Sequence, residues 1–313
     1  MAGERRRAPT QTSAFGVSRR ESHDATGFYR RFEAPTISGD DTVVACPVPD
    51  RLFAGDSRDL SVLPDSCVAL MVTSPPYFAG KEYEASLGEG HVPASYLDYL
   101  GMLRDVFAEC CRVLEPGGRM AVNVANLGRR PYRSLSGDVS SILGDDLGLL
   151  MRGEIVWVKA EGANGNCAWG SYASAANPVL RDVTERIVVA SKGRFDRALT
   201  RKERERRGLP YENSITGDDF RKWTLDTWRI PPESARSVGH PAPFPIELPR
   251  RLIELYTYVG DVVLDPFSGA AQTALACLRT GRHYVGFDID PDYVALGERR
   301  IAAEEAGAGK PAR

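Results

Sequence analysis

Thr73-Ser74-Pro75-Pro76-Tyr77 follows directly on the apolar run Val68–Thr73 (VALMVT). Two consecutive prolines fix two φ angles and remove two N–H donors, so the carbonyls around them are left to act as acceptors. With the Ser74 hydroxyl and the Tyr77 ring they make a set suited to a planar amino group: acceptors for its N–H bonds and a face for its ring to stack on. The same residues would serve equally well as a rigid proline turn capping a strand. A second set lies near the C-terminus, in DVVLDPFSGAAQTALACLRTGRHYVGFDIDPDY. One apolar run ends in Asp265, a turn follows with Gly269, then a helical run Thr273–Arg279, then a second apolar run ending in Asp288. A small-residue turn lets backbone approach a ligand, and a carboxylate roughly 20 residues further on accepts hydrogen bonds from ribose hydroxyls. The separation of Gly269 and Asp288 fits that spacing. No GxxxxGK loop is present, which disfavours an ATPase.

Both sets need a frame in which strand ends meet. Arg51–Ala54, Val68–Thr73, Arg119–Val124, Glu154–Val158, Arg186–Ala190, Asp261–Leu264 and His283–Phe287 read as short apolar strands. Tyr96–Leu114 is amphipathic and helical, and Pro116-Gly117-Gly118 is expected to end it with a turn. Strands alternating with helices predict an α/β fold with a doubly wound, mostly parallel sheet. In such a sheet ligands bind at the carboxyl ends of strands, where both motifs fall. The charged stretch 193–239, with Trp223, Trp228 and Pro231-Pro232, breaks the rhythm and is read as an insertion outside the sheet. Its two tryptophans read as a small local core. Residues 1–45 and 302–313 read as flexible tails. Between them the expected order is a first half at 46–192, the insertion at 193–239 and a second half at 240–301.

The 313 residues are 42% hydrophobic, enough for a sizeable core, and no apolar run approaches the length of a membrane span. The Arg-rich, polar start is unlike an apolar signal sequence, so a cytoplasmic protein without membrane contact is expected. Six cysteines without CxxC spacing and only four histidines argue against a disulfide framework or a metal site. Net charge is −2, but Arg194–Arg207 holds seven basic and three acidic residues, locally +4. Such a run is either a solvated face or a phosphate-binding one.

TSPPY and DPFSG with FDIDPDY resemble the catalytic and cofactor motifs of the amino-methylating DNA methyltransferases, which act on cytosine N4 or adenine N6. Their order, catalytic motif first, resembles the circularly permuted β group of that family. The likeness runs over about residues 50–300 and takes in Gly55-Asp56, Leu114-Glu115-Pro116-Gly117-Gly118, Trp157-Val158-Lys159, and His240-Pro241 leading to Pro249-Arg250-Arg251-Leu252-Ile253. It implies a Rossmann-like fold that binds S-adenosylmethionine. By position, Ser74 and the Pro75 carbonyl would accept hydrogen bonds from the target amino group, with Pro76 completing the loop and Tyr77 stacking on the base. Asp56 would meet the cofactor's adenine and Asp288 its ribose. Asp265, Phe267 and Gly269 would line the methionine and sugar side, with Thr73, Pro266, Ser268 and Ile289 beside them. His240 and Pro241 would hold the cofactor from across the site. The chain departs from the family where Ala271 and Gln272 replace a usual glycine and threonine.

The chemistry agrees with the residue types. An exocyclic amino nitrogen is a poor nucleophile because its lone pair is delocalised, and well-aimed acceptors stabilise the charge that develops on it. Methylation at a ring carbon would need a cysteine nucleophile in the catalytic loop, and TSPPY has none. Within the resembled family, serine before Pro-Pro-Tyr is typical of cytosine enzymes and aspartate of adenine enzymes. Site-specific N4-cytosine methylation of double-stranded DNA is therefore the expected activity, with N6-adenine as alternative. An RNA methyltransferase and an inactive binding module stand further off. Lys159, Arg194, Arg197, Arg201 and Lys202 are the expected DNA contacts, and 193–239 occupies the usual place of a target-recognition region. A cognate restriction endonuclease and self-association are the remaining partners that this reading allows. Trp157 suits either the core or the side of the base.

Overall fold

The computed structural model describes residues 36–76, 93, 95–127, 131–159, 170–233 and 244–308. Ser38–Arg313 forms one compact unit; the unit before it, Met1–Ile37, lies almost wholly outside the described residues. Its strands are β1 (Arg51–Ala54), β2 (Val68–Thr73), β3 (Leu114–Val124), β4 (Leu150–Val158), β5 (Thr184–Ser191), β6 (Thr227–Arg229), β7 (Val262–Asp265) and β8 (His283–Asp288). They form one sheet in the order β1-β8-β7-β2-β3-β5-β4-β6. Only β5 runs antiparallel to its neighbours, β3 and β4. The helices are α1 (Tyr96–Val113), α2 (Leu135–Ser141), α3 (Arg201–Arg206), α4 (Gly217–Trp223), α5 (Glu247–Tyr256), α6 (Gln272–Thr280) and α7 (Pro291–Ala308).

Alternation along the strands explains why the sheet is covered on both sides. Met71, Met120, Val122, Val188, Leu264, Val285 and Phe287 enter one core, which α1 and α2 close with Leu103, Phe107, Leu135 and Val139. Leu70, Val72, Ala121, Ile187, Val189, Val263 and Tyr284 enter the other, closed by α5 and α6 with Leu248, Leu252, Ala274 and Leu275. Period-2 side-chain alternation puts neighbouring residues on opposite faces, so a strand apolar throughout, such as β2, must be buried twice. The helix after β2 covers one face and the helix after β7 the other. β2 and β7 are neighbours, so the point where the winding reverses lies between them.

Three expectations are corrected. Pro116-Gly117-Gly118 is not a turn after the helix: α1 ends at Val113, and these residues lie within β3. There the register slips from Val68↔Leu114 to Leu70↔Arg119. Gly117 takes φ +78, and a Cβ on it would fall 1.8 Å from the Asp196 carbonyl oxygen. A bulge uses the same residue types as a turn. The stretch 193–239 is not wholly outside the sheet either, because Thr227–Arg229 pairs with Val156–Val158 as the edge strand. Three residues are too few for a strand pattern to be legible. Trp223 and Trp228 accordingly pack with Ile155, Trp157 and Leu248 in the second main core rather than in a local one.

Candidate active site

Four loops converge where the winding reverses, at the carboxyl ends of β1, β2, β7 and β8. Thr73 ends β2 fully buried, and its hydroxyl donates to Asp265 Oδ1 at 2.7 Å. Thr273 at the start of α6 donates to Asp265 Oδ2 at 2.6 Å, and the Phe267 amide donates to Oδ1 at 3.1 Å. The Gly269 amide donates to Asp288 Oδ2 at 2.8 Å and that of Asp290 to Oδ1 at 3.0 Å. The Gly55 amide donates to the Asp288 carbonyl at 2.9 Å, and the Ser57 hydroxyl to the Pro266 carbonyl at 2.5 Å. Residues drawn from positions 55 to 288 thus share one rim.

The electrostatics of this rim are anionic. Asp265 is only 2% exposed, and burial pushes its carboxyl up to about 6 in spite of three hydrogen bonds that favour ionisation. Burial also raises Asp288. Asp56 lies beside them, its carboxylate bonded to Arg58 Nε at 2.9 Å. Such a rim suits a ligand bearing hydroxyls and positive charge and repels a triphosphate. The Ser268 hydroxyl is buried and has no hydrogen-bond partner among the described residues, a polar atom that a ligand in this turn would satisfy. Gly286 lets the turn approach β8: a Cβ there would lie 2.5 Å from Leu52 Cδ2 and 3.0 Å from Ser268 Cβ. These residues fit S-adenosylmethionine.

The departure at Ala271-Gln272 has a visible accommodation. Ala271 adopts φ +61, a left-handed conformation that suits glycine. Gly297 of α7 leaves it room, since a Cβ there would lie 3.0 Å from the Ala271 methyl. Gln272 donates through Nε2 to the Phe244 carbonyl at 2.9 Å and accepts from Arg300 at 2.8 Å.

Of the expected catalytic residues, Ser74, Pro75 and Pro76 leave β2 at this rim, Pro75 buried and the other two half-buried. Tyr77, His240 and Pro241 lie outside the described residues. Thr73, Asp265, Pro266, Phe267, Ser268, Gly269 and Asp288 are brought together by the contacts above; Ile289 follows at the end of β8, half-buried, and Asp56 follows β1.

Two residues that sequence reasoning missed lie beside Ser74. Asn123, near the end of β3 and 1% exposed, donates to Ser74 Oγ at 3.4 Å. It also donates at 2.5 Å to Oε2 of Glu185, which is 8% exposed on β5. Lys159, expected as a DNA contact, binds Glu185 Oε1 at 2.7 Å. In the sequence Asn123 is a lone polar residue within an apolar run, while Glu185, between Thr184 and Arg186 at the polar start of its strand, carries no distinctive signal. Trp157 is settled as core, 2% exposed, with its indole N–H on the Ile230 carbonyl at 2.8 Å.

The basic stretch falls elsewhere. Ser191 ends β5 opposite Arg119, and β5 is antiparallel to β3, so the chain leaves β5 at the amino edge of the parallel strands. There Arg204, 1% exposed, and Arg197 bridge Glu115 and Asp261, both themselves buried. Arg197, expected as a DNA contact, is thus held in a buried ion-pair cluster. Arg194 is half-buried, with Asp196 at 3.8 Å, while Arg201 and Lys202 are exposed on α3. All four stand at the edge opposite Ser74. The direction of the single antiparallel strand decides this, and no local pattern records it.

The five described cysteines are free thiols, and no helix among the described residues is long and apolar enough to cross a membrane. Residues 68–299 match the family model for N6/N4 methyltransferases, described as DNA methylase. The type II methyltransferase M.MjaI of Methanocaldococcus jannaschii is 26% identical over 293 residues, covering 83% of this chain and 93% of that protein. The type II β methyltransferase M.BslI of a Bacillus species is 27% identical over 81% of this chain, which spans only 28% of M.BslI. TTHA0409 of Thermus thermophilus, assigned as a DNA modification methylase and crystallised with S-adenosyl-L-methionine, superposes with a TM-score of 0.62. Its identity is 30%, with 81% of this chain and 93% of that one covered.

Proposed function

Since the chain belongs to the N6/N4 family of DNA methylases, whose model spans residues 68–299, we propose that it is a type II enzyme methylating cytosine N4 in duplex DNA. The observation that carries this reading is the meeting of Ser74-Pro75-Pro76 with the Asp265–Asp288 rim at one switch point, through the Thr73–Asp265 hydrogen bond of 2.7 Å. Duplex DNA hides its amino groups in base pairs, so the target base is taken to be flipped into this crevice. S-adenosylmethionine supplies the methyl group. Asp288 and the Gly269 turn bind the sugar end, and Asp265 and Ser268 line the path toward Ser74. Ser74 Oγ and the Pro75 carbonyl accept the amino hydrogens, which directs the nitrogen lone pair toward the rim and stabilises the charge that develops there. Tyr77 is assigned the stacking role, and His240 and Pro241 the far wall of the cofactor site.

Serine rather than aspartate before Pro-Pro-Tyr supports cytosine over adenine, by likeness to the family's cytosine enzymes. For DNA contact the segment 170–183 is better placed than 193–209, because it joins β4 to β5 at the same edge as Ser74. A restriction endonuclease sharing the recognition sequence is the expected partner, as in type II systems.

The test is nucleoside mass spectrometry on unmethylated plasmid DNA incubated with the protein and S-adenosylmethionine. N4-methylcytosine is the expected product. N6-methyladenine would keep the mechanism and correct the base, and the absence of any methylated nucleoside across varied DNA would refute the activity.

A further inference from the structure

A hydrogen-bonded chain of side chains runs from Lys159 through Glu185 and Asn123 to Ser74, with links of 2.7, 2.5 and 3.4 Å. The strands do not need this chain to hold together. β3 and β5 already pair over Arg119–Val124 and Arg186–Ser191. Asn123 and Glu185 are buried beside apolar residues of their own strands, Ala121, Val122 and Val124 on β3 and Ile187, Val188 and Val189 on β5. An apolar pair of similar volume would stabilise such a position at least as well as a buried amide and ion pair. Their arrangement points to a task at Ser74.

We propose that Asn123 and Glu185 are positioning residues that hold the Ser74 hydroxyl where the target amino group must find it. This rests on the methyl-transfer reading above. A serine side chain has three staggered rotamers and a freely turning hydroxyl, and only some of these states present a lone pair to the base. An ionised carboxylate can only accept, so Glu185 decides which end of the Asn123 amide faces it: the nitrogen. One N–H of that nitrogen goes to Glu185, and the other reaches Ser74 Oγ and selects the serine rotamer. Lys159 compensates the Glu185 charge at the rim, where its side chain is 30% exposed and that of Glu185 10%. Lys159 thus acts on the base through three other residues.

The experiment is a double-mutant cycle read by single-turnover methylation of plasmid DNA, with S-adenosylmethionine affinity measured by calorimetry. Asn123→Ala and Glu185→Leu should each slow methyl transfer about 10-fold or more, as expected for a misplaced acceptor, with cofactor affinity nearly unchanged. Glu185→Gln, which keeps an acceptor oxygen but adds a donor that can turn the Asn123 amide around, should restore the rate only in part. In a Ser74→Ala background Asn123→Ala should cost almost nothing further, because its effect passes through the serine. If Asn123→Ala fails to fold, Asn123→Ser takes its place in the cycle. A full additional loss in the Ser74→Ala background would overturn the proposal, as would an unchanged rate in Asn123→Ala, and either would leave the methyl-transfer reading intact. Equal rates for wild type and Ser74→Ala would instead refute the role of Ser74 and the proposal with it.

Discussion

Asp265 is held against its own ionisation, and replacing it with asparagine removes that penalty. Its carboxyl lies at about 6 in the fold against 3.8 for an ordinary aspartate, and the residue is 2% exposed, so solvent does not screen the effect. The cause is burial; the hydrogen bonds from Thr273, Thr73 and Phe267 pull the other way without overcoming it. About two pH units correspond to roughly 3 kcal/mol. The sign follows from which state holds the proton. Below pH 4 Asp265 is protonated in both folded and unfolded chains and contributes no pH dependence. Between about 4 and 6 the unfolded chain ionises while the fold keeps its proton, so the wild type loses roughly 1.4 kcal/mol per pH unit. Above 6 both are ionised and the loss is complete. In Asp265→Asn the amide oxygen can still accept from Thr73 and Phe267, and the Thr273 hydroxyl can turn to accept from the amide nitrogen. The assay is thermal or urea unfolding of the two proteins across pH 4 to 8 without cofactor, taking the difference so that other titrating groups cancel. Relative to the variant, the wild type should fall by about 3 kcal/mol between pH 4 and 6, several degrees in Tm, and then run level. A difference independent of pH, or one that moves in the wild type's favour as pH rises, would refute the reasoning.

Ser74→Ala should lower the methyl-transfer rate by ~10²-fold or more with little loss of cofactor binding, whereas Asp288→Ala should weaken cofactor binding first; calorimetry with single-turnover assays separates them. Equal losses of cofactor affinity would undo that division of roles. Arg204→Met leaves Glu115 and Asp261 sharing one buried arginine and should cost about 3–5 kcal/mol in denaturant unfolding. Because this cluster stands at the edge away from the rim, S-adenosylmethionine affinity of the folded variant should not change. Arg201→Gln combined with Lys202→Gln should leave KM for DNA unaltered, and a marked rise would mean that the duplex reaches around to α3.

Much of the site was legible because it depends on short-range chemistry. Pro75-Pro76 removes two N–H donors wherever it is placed, and the Asp265, Gly269 and Asp288 spacing is that of one strand, turn, helix and strand. Apolar runs alternating with helices were enough for the parallel sheet, since burial on both faces writes itself into every residue of a strand such as VALMVT. What the tertiary structure alone decided involves direction and long-range pairing. Asn123 and Glu185 are 62 residues apart and meet only because β5 lies antiparallel beside β3. That same reversal carries Arg194–Lys202 to the far edge, where Arg197 and Arg204 enter buried ion pairs with Glu115 and Asp261. Trp223 and Trp228 join the main core because a three-residue strand closes the sheet's edge, and Pro116-Gly117-Gly118 makes a bulge because Asp196 packs where a Gly117 side chain would be. In each case the residue type permitted several environments, and the direction and packing of elements distant in sequence selected one.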